Sequence, residues 1–161
     1  MRVLITGANR GIGRAIYDDY VARGDDVIAT TRSQASDGWL QLDVTDPASV
    51  SAMANQLNGE AIDLLICNAG VYLDKGDELS NGYTPNVWDD TFATNVTGVF
   101  LTIEALLSNL RAVGGKVAII SSQMGSSERA AGNAFAYRAS KAAALNLGRN
   151  LAVDLSPDVA V

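Results

Sequence analysis

The chain has 161 residues, with 12 Lys plus Arg against 18 Asp plus Glu, no His, one Cys, and 48% apolar residues. This length suits one domain with a substantial core, and a net charge of −6 without a basic run argues against a nucleic-acid partner. The lack of histidine excludes a Ser-His-Asp triad and His-ligated zinc, and the single Cys67 excludes a disulfide within the chain and a Cys-X-X-Cys zinc site, so we expect no metal site.

The first part of the chain predicts alternating strands and helices. Residues 2–6 form an apolar run that ends in a glycine-rich turn, and apolar residues four apart then indicate a helix that ends at Gly24. Residues 27–30 lack polar alternation, which is typical of a strand covered on both faces. A weaker third strand is predicted over residues 39–42.

The next helix has a clear start signal. Asp46 is a candidate N-cap and Pro47 takes the first position of a helix that we expect to run to about Leu57. Residues 62–67 are strongly apolar and predict a fourth strand. Residues 71–83 are rich in Gly, Asp and Ser and indicate a loop.

The remaining chain predicts two long helices separated by a strand. Apolar residues three or four apart predict one helix over residues 84–112, followed by a fifth strand over 116–121 and a further helix over 135–155. Residues 159–161 look like the beginning of another strand, whose absence would expose the edge of strand 5. We therefore expect this chain to be part of a longer protein.

This alternation predicts an α/β fold: a Rossmann-type, doubly wound parallel sheet in a single domain over residues 1–161 that lacks its C-terminal strands. The sequence has no secretory signal pattern and no apolar run long enough to span a membrane. We expect a soluble, cytoplasmic protein without a membrane partner.

The first candidate site is the glycine-rich turn between strand 1 and the first helix. Its three glycines, Gly7, Gly11 and Gly13, follow the spacing GxxxGxG, which differs from GxGxxG and from the P-loop. Glycines at this place allow backbone N–H groups and the positive end of a helix to approach a pyrophosphate. The alternative is a turn that only lets the helix pack closely on the sheet.

Two further patterns point to the same kind of ligand. Tyr137 and Lys141 are four residues apart, so on a helix both side chains leave one face, although such a pair can also be solvated. A free phenol titrates near pH 10, and an ammonium about 4 Å away would favour its ionised form by about 4 kcal/mol. Residues 68–70, Asn-Ala-Gly, end strand 4, where ligands bind in such sheets, unless they only form a turn.

Together these patterns resemble the short-chain dehydrogenase/reductase family over essentially the whole chain. Residues 6–13 match its TGxxxGxG loop, residues 68–70 its NAG motif, Asn95 its helix asparagine, residues 121–122 the serine after strand 5, and residues 137–141 its YxxxK motif. Within the family, the sequence is most similar to the C-factor and carbonyl-reductase-like branch.

The resemblance implies a role for each catalytic residue. Tyr137 would be the general acid or base, and Ser122, favoured over Ser121, would bind the reacting oxygen. Lys141 would hold the nicotinamide ribose and favour the ionised tyrosine. Asn95 would hold a water in a proton relay, although without the resemblance it reads as a mid-helix residue turned to solvent.

The resemblance also implies a choice of cofactor. The position at which NAD enzymes of this type carry an acid falls on Thr31, and Arg32 follows it. Arg10 in the glycine loop is a second cation that could reach a 2′-phosphate, so we predict NADP(H) over NAD(H), unless both arginines are only solvated. The predicted cofactor contacts are Gly7, Asn9, Arg10, Gly11, Ile12, Gly13, Arg32, Asp43, Val44, Asn68, Ala69, Gly70, Tyr137 and Lys141.

The resemblance therefore predicts an NADPH-dependent oxidoreductase that transfers hydride between nicotinamide and a small carbonyl or secondary alcohol substrate. In relatives the helices at 84–112 and 135–155 pack against a second subunit, so we expect a homodimer or homotetramer. One rival hypothesis is an NADP(H)-binding sensor or signalling protein without turnover. Another is a serine–lysine hydrolase that uses Ser140 or Ser122 with Lys141.

Overall fold

Five strands form one parallel sheet in the order β3-β2-β1-β4-β5. The computed structural model describes residues 1–33 and 38–161. The strands are β1 Arg2–Ile5, β2 Asp26–Thr31, β3 Leu40–Gln41, β4 Leu64–Cys67 and β5 Lys116–Ile119. The predicted α/β class and doubly wound parallel sheet are confirmed, and the third strand is shorter than predicted.

Helices connect β1 to β2, β3 to β4 and β4 to β5, which gives the long crossovers that parallel strands need. They are α1 Gly11–Ala22, α2 Pro47–Leu57, α3 Pro85–Phe92, α4 Gly98–Ala105, α5 Leu107–Arg111 and α6 Phe135–Asp154. The predicted start of α2 is confirmed: Pro47 takes its first position, and Asp46 Oδ1 accepts a hydrogen bond of 2.9 Å from Ala48 N. No helix in the described part of the chain has the length and apolarity to cross a membrane.

The prediction of one continuous helix over residues 84–112 is wrong. A π-helical turn, Ala93–Thr97, separates α3 from α4, and Leu106, with φ −105° and ψ 8°, separates α4 from α5. Apolar spacing of three or four residues tolerates one widened turn, so the pattern does not reveal the interruption. The widened turn lies where Asn95 faces the interior.

Alternation along β1 builds two cores. Leu4 belongs to a cluster with Met53 of α2 and Ile103 of α4, whereas Val3 and Ile5 belong to a second cluster under α1. Both faces of the sheet are therefore covered, which leaves the ends of the strands as the place for a site.

The strand order places a crevice at the middle of the sheet. β1 lies between β2 and β4, so the connections that leave β1 and β4 run to opposite sides of the sheet. Ligands of doubly wound sheets bind at this reversal, above the carboxyl ends of the strands. At the far edge, Ala160 forms a parallel bridge to Lys116 and its carbonyl accepts a 2.7 Å hydrogen bond from Val117 N.

Candidate active site

A cleft of about 790 Å³ lies over the carboxyl ends of the central strands. Its lining includes every residue for which a cofactor contact is predicted, although these contacts themselves stay predictions. The lining residues are Gly7, Asn9, Arg10, Gly11, Ile12, Gly13, Thr31, Arg32, Ser33, Leu42, Asp43, Val44, Thr45, Asn68, Ala69, Gly70, Val71, Tyr72, Thr94, Ile120, Ser121, Tyr137 and Lys141.

The glycines of this turn allow close packing against the Asn-Ala-Gly segment, and binding of a pyrophosphate by the turn stays a prediction. Gly7 has φ +66°, a conformation that favours glycine, and a Cβ there would lie 3.1 Å from Ala69 Cα. A Cβ on Gly13 would clash with Asn68 Nδ2 and with the carbonyl oxygen of Gly7. Gly13 is therefore a packing glycine. Residues 9–11 line the cleft, and a Cβ on Gly11 would meet no atom within 4 Å.

The Asn-Ala-Gly turn is hydrogen-bonded directly to the glycine turn. Thr6 Oγ1 accepts hydrogen bonds from Asn68 N at 3.0 Å and from Ala69 N at 2.9 Å. In return Asn68 Nδ2 donates to Thr6 O at 2.9 Å and to Gly7 O at 3.0 Å. The side chain of Asn68 thus fixes the backbone of the glycine turn, a contact that needs both strand ends and is not visible in either motif alone.

The start of α1 fits the pyrophosphate of a dinucleotide. Arg10 precedes the helix in an extended conformation, and within the described part of the chain no side chain caps the first helical turn. The first N–H groups of a helix have no partner inside the helix, and the helix dipole makes this end attractive to anions. The uncapped start of α1, where Gly11 and Ile12 line the cleft, is the feature that fits such a cofactor.

Hydroxyls and one arginine lie at the end of β2. Thr31 ends the strand, its Oγ1 lies 3.1 Å from Ser33 Oγ, and Arg32 lies between them in sequence. After the neighbouring strand β3, Asp43 Oδ1 accepts hydrogen bonds from Thr45 Oγ1 at 2.7 Å and Thr45 N at 2.9 Å. The hydroxyl of Thr45 and, less, the charge of Arg32 lower the pKa of Asp43.

Tyr137 and Lys141 face the cleft together from α6. The Lys141 Nζ lies 5.8 Å from the centre of the Tyr137 ring and donates a hydrogen bond of 2.9 Å to Ile120 O, at the end of β5. Lys141 is only 6% exposed, so the alternative of a solvated pair is wrong. Burial lowers the pKa of Lys141.

Tyr72 is a site residue that the sequence patterns did not indicate. Its ring stacks on that of Tyr137, with centroids 4.3 Å apart and planes 17° apart, and it lines the cleft. The available signal was an aromatic residue two positions after the Asn-Ala-Gly turn, in a segment assigned only as a loop. The stacked ring fixes the plane of the Tyr137 phenol.

The two serines after β5 both contact neighbouring backbone. Ser121, the less favoured of the two, lines the cleft, whereas Ser122 is not among the lining residues. Ser121 Oγ donates a hydrogen bond of 3.1 Å to Lys141 O. Ser122 Oγ accepts a hydrogen bond of 3.1 Å from Met124 N. Close packing holds this segment on α6, since a Cβ on Gly125 would lie 2.7 Å from the carbonyl carbon of Lys141.

Asn95 is buried rather than turned to solvent, which corrects the alternative offered for it. Its side-chain amide pairs with the backbone of Val71, accepting from Val71 N at 2.8 Å and donating to Val71 O at 2.9 Å. The same amide donates to Ser140 Oγ at 3.0 Å. Asn95 therefore joins the segment after the Asn-Ala-Gly turn to α6.

Cys67 is not among the residues that line the cleft. Cys67 is buried in β4, and burial raises the pKa of its thiol to about 12, so it is a core residue. No cluster of three or more metal-ligating side chains occurs within residues 1–33 and 38–161.

The whole chain matches a known protein family and curated relatives. The family described as short chain dehydrogenase matches residues 1–161. The chain is 34% identical to 3-oxoacyl-(acyl-carrier-protein) reductase FabG of Salmonella typhimurium over 95% of its length, and it spans 66% of that relative. It is 35% identical to 1-hydroxy-2-glutathionyl-2-methyl-3-butene dehydrogenase of Rhodococcus over 97% of its length and 72% of the relative.

Solved structures share the fold. The NADPH-bound carbonyl reductase from chicken fatty liver superposes with a TM-score of 0.88 at 28% identity, over 98% of this chain and 75% of that one. Serine dehydrogenase from Escherichia coli superposes with a TM-score of 0.87 at 30% identity, over 99% of this chain and 79% of that one.

Proposed function

Since the chain belongs to the short-chain dehydrogenase family, we propose that it acts as an NADPH-dependent oxidoreductase on a carbonyl or secondary alcohol. The observation that carries this proposal is the position of Tyr137 and Lys141. Both line the cleft that begins at the uncapped start of α1 and the glycine turn. A proton donor and a buried cation therefore lie at one end of a cleft whose other end suits a pyrophosphate.

In this mechanism Tyr137 handles the proton. Nicotinamide supplies or accepts the hydride when it is bound. The Tyr137 phenol donates a proton to the carbonyl oxygen during reduction, and its phenolate accepts that proton during oxidation. Ser122 Oγ accepts from Met124 N and keeps its own proton, which it donates to the same oxygen to stabilise its developing charge. Ser121, the alternative donor, lines the cleft but would first have to release its hydrogen bond to Lys141 O, since a hydroxyl has one proton to donate.

Lys141 holds the ribose and supplies positive charge near the phenol. One of its three N–H donors goes to Ile120 O, which leaves two for the ribose hydroxyls. Because Lys141 is buried, its charge acts in a medium of lower dielectric constant than water, where electrostatic interactions are stronger. Asn95 positions this assembly through Val71 and Ser140.

Positive charge at the end of β2 supports the choice of NADPH over NADH. Arg32 directly follows Thr31, which takes the position where NAD enzymes of this type carry an acid, and Arg10 lines the same cleft. Asp43 and Val44 flank the adenine in this proposal. Among the solved structures, the chicken carbonyl reductase is NADPH-bound, whereas an oxidoreductase from Brucella ovis carries a partially ordered NAD.

The relatives favour a second substrate class. Several of the curated relatives are 3-oxoacyl-(acyl-carrier-protein) reductases, so reduction of a 3-oxoacyl thioester is the second candidate reaction. Both reactions reduce a carbonyl and need the same proton donor. The resemblance of residues 119–126 and 137–141 to the C-factor and carbonyl-reductase-like branch supports the first class, and an assay with both classes decides between them.

The test measures NADPH and NADH oxidation by the complete protein with aldehydes, ketones and acetoacetyl thioesters. We expect turnover that prefers NADPH and that Tyr137→Phe abolishes. Tyr17→Phe is the matched control, because Tyr17 of α1 packs against Trp39 and is not among the residues that line the cleft. Equal rates for Tyr137→Phe and wild type would refute the catalytic role.

The rival hypotheses give different results in the same assay. A sensor would bind NADPH without turnover of any substrate. A serine–lysine hydrolase would hydrolyse an activated ester without nicotinamide, and Ser122→Ala or Ser140→Ala would remove this activity. The hydroxyl of Ser140 is buried between Asn95 and Tyr137 O, which disfavours it as a nucleophile.

A homodimer or homotetramer in the cytoplasm completes the proposal. Apolar side chains on the predicted contact helices are exposed, such as Phe100 at 40%, Leu145 at 48% and Val153 at 81%. Contiguous exposed apolar side chains mark interaction surfaces. Sedimentation of the complete protein at micromolar concentration tests this, and a monomer would contradict it.

A further inference from the structure

The helix that carries Tyr137 lacks a cap from its own sequence. Ala134 precedes α6 with φ 49°, and its side chain offers no acceptor. The cap comes instead from Asp74, in the loop after β4. Asp74 Oδ2 accepts hydrogen bonds from Ala136 N at 2.8 Å and from Tyr137 N at 3.3 Å. A carboxylate 62 residues away in sequence thus partners the free N–H groups of this helix.

The backbone of Tyr137 is held at both of its polar groups. Its N–H donates to Asp74, and its carbonyl accepts a 2.8 Å hydrogen bond from Ser140 Oγ. Ser140 in turn accepts from Asn95, which also clamps Val71, three residues before Asp74. The segment from Val71 to Asp74 is therefore connected to α6 at two places. Asp74 contacts the N–H of Tyr137 directly, and Val71 is linked to the Tyr137 carbonyl through Asn95 and Ser140.

The environment of Asp74 shows that its contacts are internal. The residue is completely buried, and within residues 1–33 and 38–161 its Oδ1 has no hydrogen-bond partner. The N–H groups at the start of α6 stabilise the buried Asp74 carboxylate, as the N-terminus of a helix does for an anion. Moving the buried carboxylate away from α6 would leave both of its oxygens without hydrogen bonds, which is costly, so Asp74 holds the start of the helix in place.

We propose that Asp74 is a positioning residue for the reaction, which fixes the start of α6 so that the Tyr137 phenol stays stacked on Tyr72 and beside Lys141. This inference rests on the proposed function, because it assigns Asp74 to proton transfer by Tyr137. Loss of the carboxylate frees the N–H of Tyr137 and loosens the first turn of α6. The cofactor-binding turn at Gly7–Gly13 lies on other elements and keeps its contacts.

The test compares Asp74→Ala and Asp74→Asn in the complete protein. Displacement of a reacting group by about 1 Å costs about 100-fold in rate, so we expect Asp74→Ala to lower kcat by about that factor. The dissociation constant of NADPH, measured by its fluorescence, stays within about threefold because Asp74 does not line the cleft and Lys141 stays anchored to Ile120 O. The side-chain carbonyl oxygen introduced by Asp74→Asn can still accept from α6, so this variant recovers part of the lost kcat.

Asp46→Ala is the matched control, since Asp46 also caps a helix through a single carboxylate oxygen, but on α2. It should lower stability and leave kcat unchanged. If folded Asp74→Ala retained the kcat of Asp46→Ala, the positioning role would be overturned. If Asp74→Ala failed to fold, Asp74→Asn would carry the test: full wild-type kcat together with a freely exchanging Tyr137 amide would contradict the proposal.

Amide hydrogen exchange separates this inference from the proposed function. Asp74→Ala should speed exchange at the amides of Ala136 and Tyr137, and Asp46→Ala should not. If the wild type lacked oxidoreductase activity but this exchange pattern appeared, the cap would be real and the proposed function would have failed. If activity were present and exchange at both amides unchanged in Asp74→Ala, the inference about Asp74 would have failed alone.

Discussion

The Lys141 ammonium lies 5.8 Å from the centre of the Tyr137 ring and is anchored to the carbonyl oxygen of Ile120 at 2.9 Å. One turn of α6 brings the two side chains to the same side, as their spacing predicted. The end of β5 then fixes the lysine, so its position depends on the sheet as well as on the helix. The pair is therefore a tertiary arrangement rather than a property of the helix alone.

Substitution Lys141→Met tests the burial of this cation. Burial lowers the pKa of Lys141, so between that pKa and the ordinary value of about 10.4 the unfolded chain binds more protons than the folded chain. In this window the unfolding free energy of the wild type therefore rises with pH, and Lys141→Met lacks this contribution because it has no ammonium to titrate. We expect the unfolding free energy of wild type, relative to Lys141→Met, to increase as the pH rises toward about 10.4.

Urea unfolding at about pH 7 and about pH 10 measures this difference. Lys116→Met, at an exposed lysine of β5, is the control and should show little such change. Lys141→Met should lose turnover, whereas Lys116→Met should keep it. A difference between wild type and Lys141→Met that stayed constant with pH, or fell, would contradict the inferred burial of a charged group.

Arg32→Ala tests the basis of cofactor selectivity. A hydrogen bond to a charged group contributes about 1.5–3 kcal/mol, so we expect the dissociation constant of NADPH to rise by about tenfold or more. NADH lacks the 2′-phosphate, and its binding should change little. Fluorescence titration of both nucleotides measures the two constants.

Arg14→Ala is the control for this experiment. Arg14 lies on α1 close to the cleft but pairs with Asp18 at 2.9 Å, so its removal should affect both nucleotides equally and weakly. Parallel weakening of NADPH and NADH by Arg32→Ala would disprove a contact to the 2′-phosphate.

Gly13→Ala tests the packing of the glycine turn. A methyl group there would overlap Asn68 Nδ2 and the Gly7 carbonyl oxygen, so we expect destabilisation of about 1–3 kcal/mol and loss of nucleotide binding. Gly148→Ala is the matched helix control, because its Cβ meets only the flexible end of Ile119 at 3.3 Å. Urea unfolding and NADPH titration of both variants provide the comparison. Wild-type behaviour of Gly13→Ala would show that the turn differs from the one described.

The sequence predicted the parts of the site in which local geometry constrains residue type. A turn that requires positive φ at Gly7 selects glycine, and a helical pair such as Tyr137 and Lys141 keeps its spacing, so both are recognisable in one dimension. The start of α2 at Asp46 was predictable for the same reason.

Contacts between distant segments carried no such signal. Asp74 reads as one of several acidic loop residues, and only the folded chain brings it to the start of α6. Tyr72 likewise meets Tyr137 through the tertiary structure. The π-helical turn around Asn95 escaped detection because apolar periodicity continues through it.

A crystal structure of the complete protein with NADP⁺ tests the central claim most directly. We predict the pyrophosphate at the start of α1, the 2′-phosphate beside Arg32, and the nicotinamide ring against Tyr137 with its ribose hydroxyls bonded to Lys141. A nicotinamide ring bound away from Tyr137 and Lys141, or a nucleotide outside this cleft, would contradict this claim.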